Sequence, residues 1–183
     1  MYKRQGFGEA IKHALIQDPA FYDWLLTNVQ RIEDLQGEVL AEVIQKGIAI
    51  KANIVKQDER ENGVRGFLNF GHTLGHAIEA NVGYGKITHG EGVVIGMIFA
   101  LKISMDRMGL SFDIESFEAW LQQLGYELAL PACDDSHLLA SMKKDKKTTG
   151  KTTTFIVLSK VGEPTTIQLS DAEVLQYLQK YFG

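Results

Sequence analysis

The chain has 183 residues, 45% of them hydrophobic and 23% charged, with a formal net charge of −4 at pH 7. Its length suffices for a domain with a substantial core, and its mildly acidic balance argues against nucleic acid or an anionic membrane as the main partner. The longest apolar run, 93–101, is too short to cross a bilayer. Cys133 is the single cysteine, which excludes an internal disulfide, so we expect a soluble protein of the reducing cytoplasm.

Hydrophobic spacing predicts helices along most of the chain. A short helix covers 8–17, and Asp18 followed by Pro19 gives the N-cap and first turn of a second helix that ends near residue 28. Apolar residues at helical spacing predict a long third helix over roughly 33–55.

A row of polar residues marks the predicted fourth helix. Arg65, Asn69, His72 and His76 lie at offsets that place them on one face of a single continuous helix, while apolar residues fill most of the remaining circumference. A buried helix keeps such a row only if something polar faces it. This row is therefore a candidate wall of an active site.

The remaining elements are predicted from caps and composition. Thr88 caps a fifth helix that ends at Gly109, and a sixth helix over 113–125 follows. β-Branched residues then predict a small hairpin over 152–169, and a capping box begins a final helix at residue 170. The fold class is thus mainly α, a multihelical array with one hairpin in a single domain over 1–183. No dinucleotide-binding or phosphate-binding glycine motif is present in the sequence.

Three histidines suggest metal chemistry. His72 and His76 have the i, i+4 spacing of a metal half-site, and His89 could add a third nitrogen. A carboxylate would complete a site with an open position, and the candidates for it are Glu9, Glu79 and Glu91. The competing interpretation is that one histidine of the pair is only a hydrogen-bonded core residue.

Other polar residues have ordinary explanations when each is taken alone. Glu9 and Lys12 have the spacing of a surface ion pair, and Lys51 is typical of a solvated helix face. The basic run 143–147 reads as a flexible loop that could hold a phosphate or a carboxylate. No role is assigned to His13, His137 and Cys133.

Four segments together resemble the C-terminal domain of the 3-dehydroquinate synthase family. They are GEAIKHALI (8–16), the stretch 51–79 with NFGHTLGHAIE, GYGKITHGEGVVIGM (83–97) and MKKDKKTTG (142–150). That family joins an N-terminal NAD-binding domain of the Rossmann type to a multihelical C-terminal domain, with the active site in the cleft between them. The resemblance covers nearly the whole chain.

The resemblance implies a role for each matching residue. The metal, zinc or cobalt, falls to Glu9, His72 and His89, whereas His76 is implied to contact substrate. The remaining residues, implied to hold the hydroxyls, carboxylate and phosphate of the substrate, are Lys12, Lys51, Arg65, Asn69 and, from the DKK segment, Lys146.

The implied activity is that of a phosphorus–oxygen lyase of the shikimate pathway, which leads to the aromatic amino acids. The family cyclises the sugar-acid phosphate 3-deoxy-D-arabino-heptulosonate 7-phosphate to 3-dehydroquinate with the help of a metal and NAD⁺, and the full-length enzyme is expected to be a homodimer. The chain begins just before Glu9, so we expect the NAD-binding domain to be missing and the fragment to be inactive alone.

Three alternatives remain beside this one. Other sugar-phosphate cyclases make inosose or valiolone rings with a similar metal triad. Metal-dependent polyol and glycerol-phosphate dehydrogenases share the two-domain plan but match the histidine motif less well. From a different class, the chain could be a helical metal-binding module without catalysis, although such a module needs no substrate-contacting residues.

Overall fold

Helices make up most of the computed structural model, which describes residues 2–28, 31, 37–60, 63–83, 86–145 and 152–183. In chain order the helices are α1 (Tyr2–Gln17), α2 (Pro19–Thr27), α3 (Gly37–Gln57), a 3₁₀ helix (Val64–Asn69), α4 (His72–Val82), α5 (His89–Met108), α6 (Ile114–Gln123), α7 (Asp135–Asp145) and α8 (Asp171–Phe182). The strands β1 (Thr152–Lys160) and β2 (Glu163–Ser170) pair between α7 and α8. The predicted class, mainly α with one hairpin, is confirmed.

Helix α5 forms the centre of the fold. Its residues 92–101 are all buried, because they are apolar or glycine on every face. One side of α5 packs into a hydrophobic cluster with α1, α2, α3 and α6. The opposite side packs into a second cluster with α4, α7, the hairpin and α8. The helix thereby joins the two halves of the core.

Glycines bring the backbones of α4 and α5 into direct contact. A Cβ atom on Gly96 would lie 1.9 Å from the carbonyl oxygen of Gly71, and one on Gly75 would lie 2.9 Å from that of Gly92. Gly71 itself has a φ of 80°, a conformation that residues with side chains rarely adopt. No larger residue fits this contact, which places the first residues of α4 against the first turns of α5.

The hairpin and the last helix follow the prediction. Strands β1 and β2 are antiparallel, with Phe155 opposite Ile167. The backbone N–H of Leu158 donates to Ser104 Oγ of α5 over 2.9 Å, which ties the hairpin to the central helix. Ser170 caps α8 in the predicted capping box.

Two expectations about the helices are wrong. The predicted fourth helix is divided into the 3₁₀ helix and α4, because the chain turns at Phe70 and Gly71 before α4 begins. The second difference is α7, which the sequence did not predict and which extends to Asp145, so the expected basic loop 143–147 begins inside a helix. Lys143 there binds the carboxylate of Asp171 over 2.7 Å.

In the described part of the chain, no helix combines the length and apolar character that crossing a membrane requires.

Candidate metal centre

Three histidine side chains meet where α4 and α5 begin. His72 is the first residue of α4, His76 follows one turn later, and His89 is the first residue of α5. One ring nitrogen from each lies within 4.8 Å of the other two. The ring centroid of His72 lies 5.1 Å from that of His76 and 5.2 Å from that of His89. The glycine contact between α4 and α5 thus assembles residues that are 17 positions apart in sequence, from His72 to His89.

A carboxylate from α1 completes this group. Glu9 Oε1 lies 3.6 Å from His72 Nε2 and 4.0 Å from His89 Nε2. Helix α1 comes this close because Gly8 has no side chain: a Cβ atom there would lie 3.1 Å from the carbonyl oxygen of Gly90. Glu9 Oε1 is buried and has no hydrogen-bond partner among the described residues. An orphaned carboxylate oxygen of this kind calls for a cation or a donor.

The other nitrogen of two of the rings has an oxygen partner. His72 Nδ1 lies 3.2 Å from the carbonyl oxygen of Phe70, and His89 Nδ1 lies 2.9 Å from Glu79 Oε1. Because both oxygens only accept, each Nδ1 carries the proton and each Nε2 keeps its lone pair. Two lone pairs and the Glu9 oxygen therefore face one another with no proton between them. This donor set fits a divalent ion such as zinc.

Electrostatics keep these groups in the forms that bind a cation. Burial, together with the nearby charge of Lys12, lowers the pKa of His72 to about 4, so the ring is neutral at pH 7. Burial raises the pKa of Glu9, but the Lys12 charge and hydrogen bond outweigh this and hold it below the ordinary value. The site thus contains an ionised carboxylate beside a neutral imidazole.

Lys12 is a buried ammonium rather than half of a surface pair. Its side chain is 3% exposed, and its Nζ donates to Glu9 Oε2 over 2.7 Å. Burial lowers the pKa of Lys12, and the charge of Lys51 on α3 acts in the same direction, whereas Glu9 opposes the shift. The interpretation of Glu9 and Lys12 as a solvated ion pair is therefore wrong. The bond also fixes the carboxylate so that its second oxygen faces the histidines.

The sequence had predicted that Arg65 and Asn69 share one helix with the histidines, but in the structure they do not. They lie on the 3₁₀ helix, which packs on α1 and α3. Asp58 organises this segment by accepting from the backbone N–H groups of Gly63 and Arg65 over 2.7 and 3.0 Å. The Arg65 guanidinium donates to the carbonyl oxygen of Glu59 over 2.9 Å. Lys146 lies outside the described residues.

Sequence reasoning missed the local roles of three residues. Glu79 and Glu91 were only candidate ligands, yet Glu79 hydrogen-bonds His89 and Glu91 closes a capping box with Thr88. The Thr-x-x-Glu spacing could have revealed the capping box. His13 had no assigned role, but it is 4% exposed and neither ring nitrogen has a partner within the described part of the chain. The sequence signal for its burial was the i, i+4 spacing, which places His13 on the same face of α1 as Glu9.

Solved structures share this fold. A 2-epi-5-epi-valiolone synthase from Streptomyces hygroscopicus, determined with NAD⁺ and Zn²⁺ bound, matches 97% of this chain and 50% of its own with a TM-score of 0.83 at 19% identity. A 2-deoxy-scyllo-inosose synthase complexed with carbaglucose-6-phosphate, NAD⁺ and Co²⁺ matches 97% of this chain and 52% of its own, with a TM-score of 0.77 at 25% identity. The class that the fold defines is therefore a multihelical domain of the kind found in these cyclases.

The sequence comparison is more specific. The model of the family described as 3-dehydroquinate synthase C-terminal matches residues 6–148, and the chain belongs to this family. It is 46% identical over 179 residues to the 3-dehydroquinate synthase of Geobacillus thermodenitrificans, covering 97% of this chain and 49% of that protein. It is 51% identical over 160 residues to that of Halalkalibacterium halodurans, covering 87% of this chain and 44% of that protein. The chain thus spans about half the length of the curated relatives it matches.

Proposed function

We propose that this chain is the metal-binding half of a 3-dehydroquinate synthase. In this proposal the complete enzyme cyclises 3-deoxy-D-arabino-heptulosonate 7-phosphate to 3-dehydroquinate and releases phosphate. The observation that carries the proposal is the convergence of Glu9 Oε1 with the Nε2 atoms of His72 and His89. It occurs in a chain 46% identical to a 3-dehydroquinate synthase.

Glu9, His72 and His89 are the proposed metal ligands. Bound there, zinc or cobalt would supply a Lewis acid to an oxygen of the substrate. His76 is proposed to face the substrate instead. It stacks on His89 at a centroid distance of 5.7 Å and is more exposed than His72. Its partly open position suits hydrogen bonding to a ligand in the cleft.

The cationic and amide side chains around the metal centre are proposed to bind the substrate. A carboxylate and a phosphate both favour positively charged donors, and a buried ammonium such as that of Lys12 binds an anion more strongly than an exposed one does. Because a buried site excludes competing water, these side chains would also orient the substrate before any bond changes. The full proposed set is Lys12, Lys51, Arg65, Asn69, His76 and Lys146.

The remaining partners are proposed to engage the full-length enzyme beyond the part that this chain spans. NAD⁺ is proposed to bind an N-terminal nucleotide-binding domain that forms the other wall of the cleft. We propose a homodimeric, cytoplasmic full-length enzyme, and we expect no turnover from these 183 residues alone.

The relatives favour this substrate over those of other cyclases. Identity to the 3-dehydroquinate synthases is 46% and 51%, whereas identity to the valiolone and inosose synthases is 19% and 25%. A substrate with a carboxylate also gives Lys51 and Arg65 an anion to bind. Supplying each class of sugar phosphate to the reconstituted enzyme would separate these alternatives by product.

The deciding experiment compares His72→Ala with His76→Ala. Elemental analysis should find one zinc or cobalt ion per chain in the wild type and in His76→Ala, but little in His72→Ala. After addition of a separately expressed nucleotide-binding half, wild type should release phosphate from substrate, and both variants should fail to do so.

Three results would contradict the proposal. A wild-type chain without metal would remove the metal centre. Equal loss of metal in both variants would overturn the division of roles between the histidines. Metal binding without any rescue of activity would favour a non-catalytic module.

A further inference from the structure

We propose that Glu79 is a positioning residue of the metal centre, one that fixes His89 as a ligand without touching the ion. This inference rests on the proposed function, because it presupposes that His89 binds a metal. Glu79 Oε1 lies 2.9 Å from His89 Nδ1, on the side of the ring opposite to the nitrogen that faces Glu9. The carboxylate therefore selects the tautomer in which Nε2 keeps its lone pair.

The helix contact places Glu79 beside His89. Glu79 lies on α4 and His89 at the start of α5, where the two backbones touch. A Cβ atom on Gly92 would lie 3.5 Å from Glu79 Cγ and 3.2 Å from the carbonyl oxygen of Gly75. The first of these distances is an ordinary van der Waals contact and the second is tight, so the glycine contact brings α4 close to α5 while the stem of Glu79 packs beside Gly92 and its carboxylate reaches the ring.

The two histidine ligands are fixed by different groups. His72 Nδ1 has a backbone carbonyl as its partner, that of Phe70, whereas His89 Nδ1 has an ionisable side chain. A carboxylate acceptor raises the basicity of the opposite nitrogen more than a neutral carbonyl does, because it stabilises positive charge on the ring. His89 is also the more exposed ring, with 32% of its side chain accessible against 11% for His72. Its greater exposure leaves its orientation less restrained by packing, so the hydrogen bond with Glu79 has more effect on it.

A purely structural role explains the contact less well. Both partners are about one-third exposed, at 32% and 30%, and a pair so open to solvent contributes little to stability. The capping box of Thr88 and Glu91 already secures the start of α5. Orientation of the ligand is what remains for Glu79 to supply.

The test measures zinc affinity in Glu79→Ala by competition with a chromophoric chelator. We expect binding about 10–100-fold weaker than in the wild type, the usual effect of losing such a partner. Glu79→Gln should recover much of this loss, because its amide oxygen can still accept from Nδ1. Cobalt-loaded Glu79→Ala should also show an altered visible absorption spectrum, which a change in stability alone would not produce.

A matched control comes from a carboxylate of α6 that pairs with the far end of the central helix. Glu118 pairs with Lys102 over 2.8 Å and has 32% of its side chain exposed, but Lys102 lies 13 residues beyond His89 on α5, about 20 Å along its axis. Glu118→Ala should bind zinc like the wild type. If Glu79→Ala fails to fold, Glu79→Asp carries the test, since it withdraws the carboxylate by one methylene and should still weaken binding.

The outcomes separate this inference from the proposed function. If the wild type binds zinc and the Ala and Asp variants at position 79 bind it equally tightly with an unchanged cobalt spectrum, the role of Glu79 is overturned while the metal centre stands. If the wild type binds neither ion, the proposed function fails and this inference fails with it. Weaker binding in Glu118→Ala as well would show that the effect is not specific to Glu79.

Discussion

The two ends of α5 differ in whether the polar groups beside them have hydrogen-bond partners. Beside its first residues lies Glu9 Oε1, a buried side-chain atom that has no hydrogen-bond partner in the described part of the chain. At its last turns, against α8, polar groups are paired. Arg107 binds Glu173 over 2.7 Å, and Asp106 accepts from Tyr181 over 2.8 Å and also binds Lys180.

This difference separates binding from stability. Leaving a buried polar atom without a partner costs about 1–3 kcal/mol. Such an atom is retained where a ligand supplies the missing partner. Among the residues that the structure describes, the far end of α5 has no unpaired buried side-chain atom of this kind, and its contacts serve to hold the hairpin and α8 in place. One helix thus has a proposed functional end and a structural end.

The largest expected effect comes from separating α4 and α5 with Gly96→Ala. The new Cβ atom would lie 1.9 Å from the Gly71 carbonyl oxygen, and backbone cannot move aside as a flexible side chain can. We expect the free energy of unfolding to fall by at least about 3 kcal/mol, measured by urea denaturation. Gly6→Ala is the control, since no described atom lies within 4 Å of a Cβ there, and it should stabilise α1 by about 0.5–1 kcal/mol. An unchanged midpoint for Gly96→Ala would contradict the close contact.

The next effect is an acid-dependent loss of stability to which His13 contributes beside His72. Burial, together with the charge of Lys12, lowers the pKa of His13 from 6.5 to about 4. The unfolded chain therefore takes up a proton first, and stability falls as pH drops from 6.5 to about 4, by about 3 kcal/mol in total.

A His13→Leu variant tests this contribution in metal-free protein. Its stability should vary less with pH over that interval, by about 1.4 kcal/mol per pH unit. The comparison uses the slope and not the absolute stability, which the substitution also changes. A slope equal to that of the wild type would place the titration elsewhere.

Two matching capping boxes compare the ends of the molecule directly. Thr88 with Glu91 begins α5 at the metal centre, and Ser170 with Glu173 begins α8. Thr88→Ala and Ser170→Ala should each lower the free energy of unfolding by about 1 kcal/mol. Only Thr88→Ala should also weaken zinc binding, because His89 is the first residue of the helix it caps. Equal effects of the two variants on zinc would break the comparison.

The smallest effect is expected from Arg107→Gln at the structural end. The pKa of Glu173 is lowered to about 2, first by the backbone N–H of Ser170 and only then by Arg107. Without Arg107 it should stay well below 4.5, as followed by NMR titration of the Glu173 carboxyl group. The contribution of this carboxylate to the stability of the fold is present above pH 4.5 and is lost as pH falls through about 2. A return of the pKa to 4.5 in the variant would make the ion pair, and not the cap, its cause.

Features that depend on near neighbours were predictable from the sequence. Asp18 caps α2, Thr88 caps α5 and Ser170 caps α8 as expected, because a cap involves residues only two or three positions apart. The hairpin followed from its β-branched composition and turn. The family resemblance followed from motifs that extend over most of the chain.

Features that depend on packing were not predictable. Helical periodicity alone continued through 65–78, whereas Gly71 bends the chain because its backbone must fit against Gly96 of α5. Spacing also made His72 and His76 an obvious pair, but it could not show which carboxylate would join them.

The sequence by itself determined the candidate site residues, where most helices begin, and the family to which the chain belongs. The resemblance had already implied that Glu9 joins His72 and His89, but the tertiary structure alone decided that Glu79 faces the back of His89 and that His13 is buried beside Lys12. The physical reason is that propensity and capping act over a few residues. Contacts between helices depend on how closely two backbones can approach, and here glycines from distant segments set that distance.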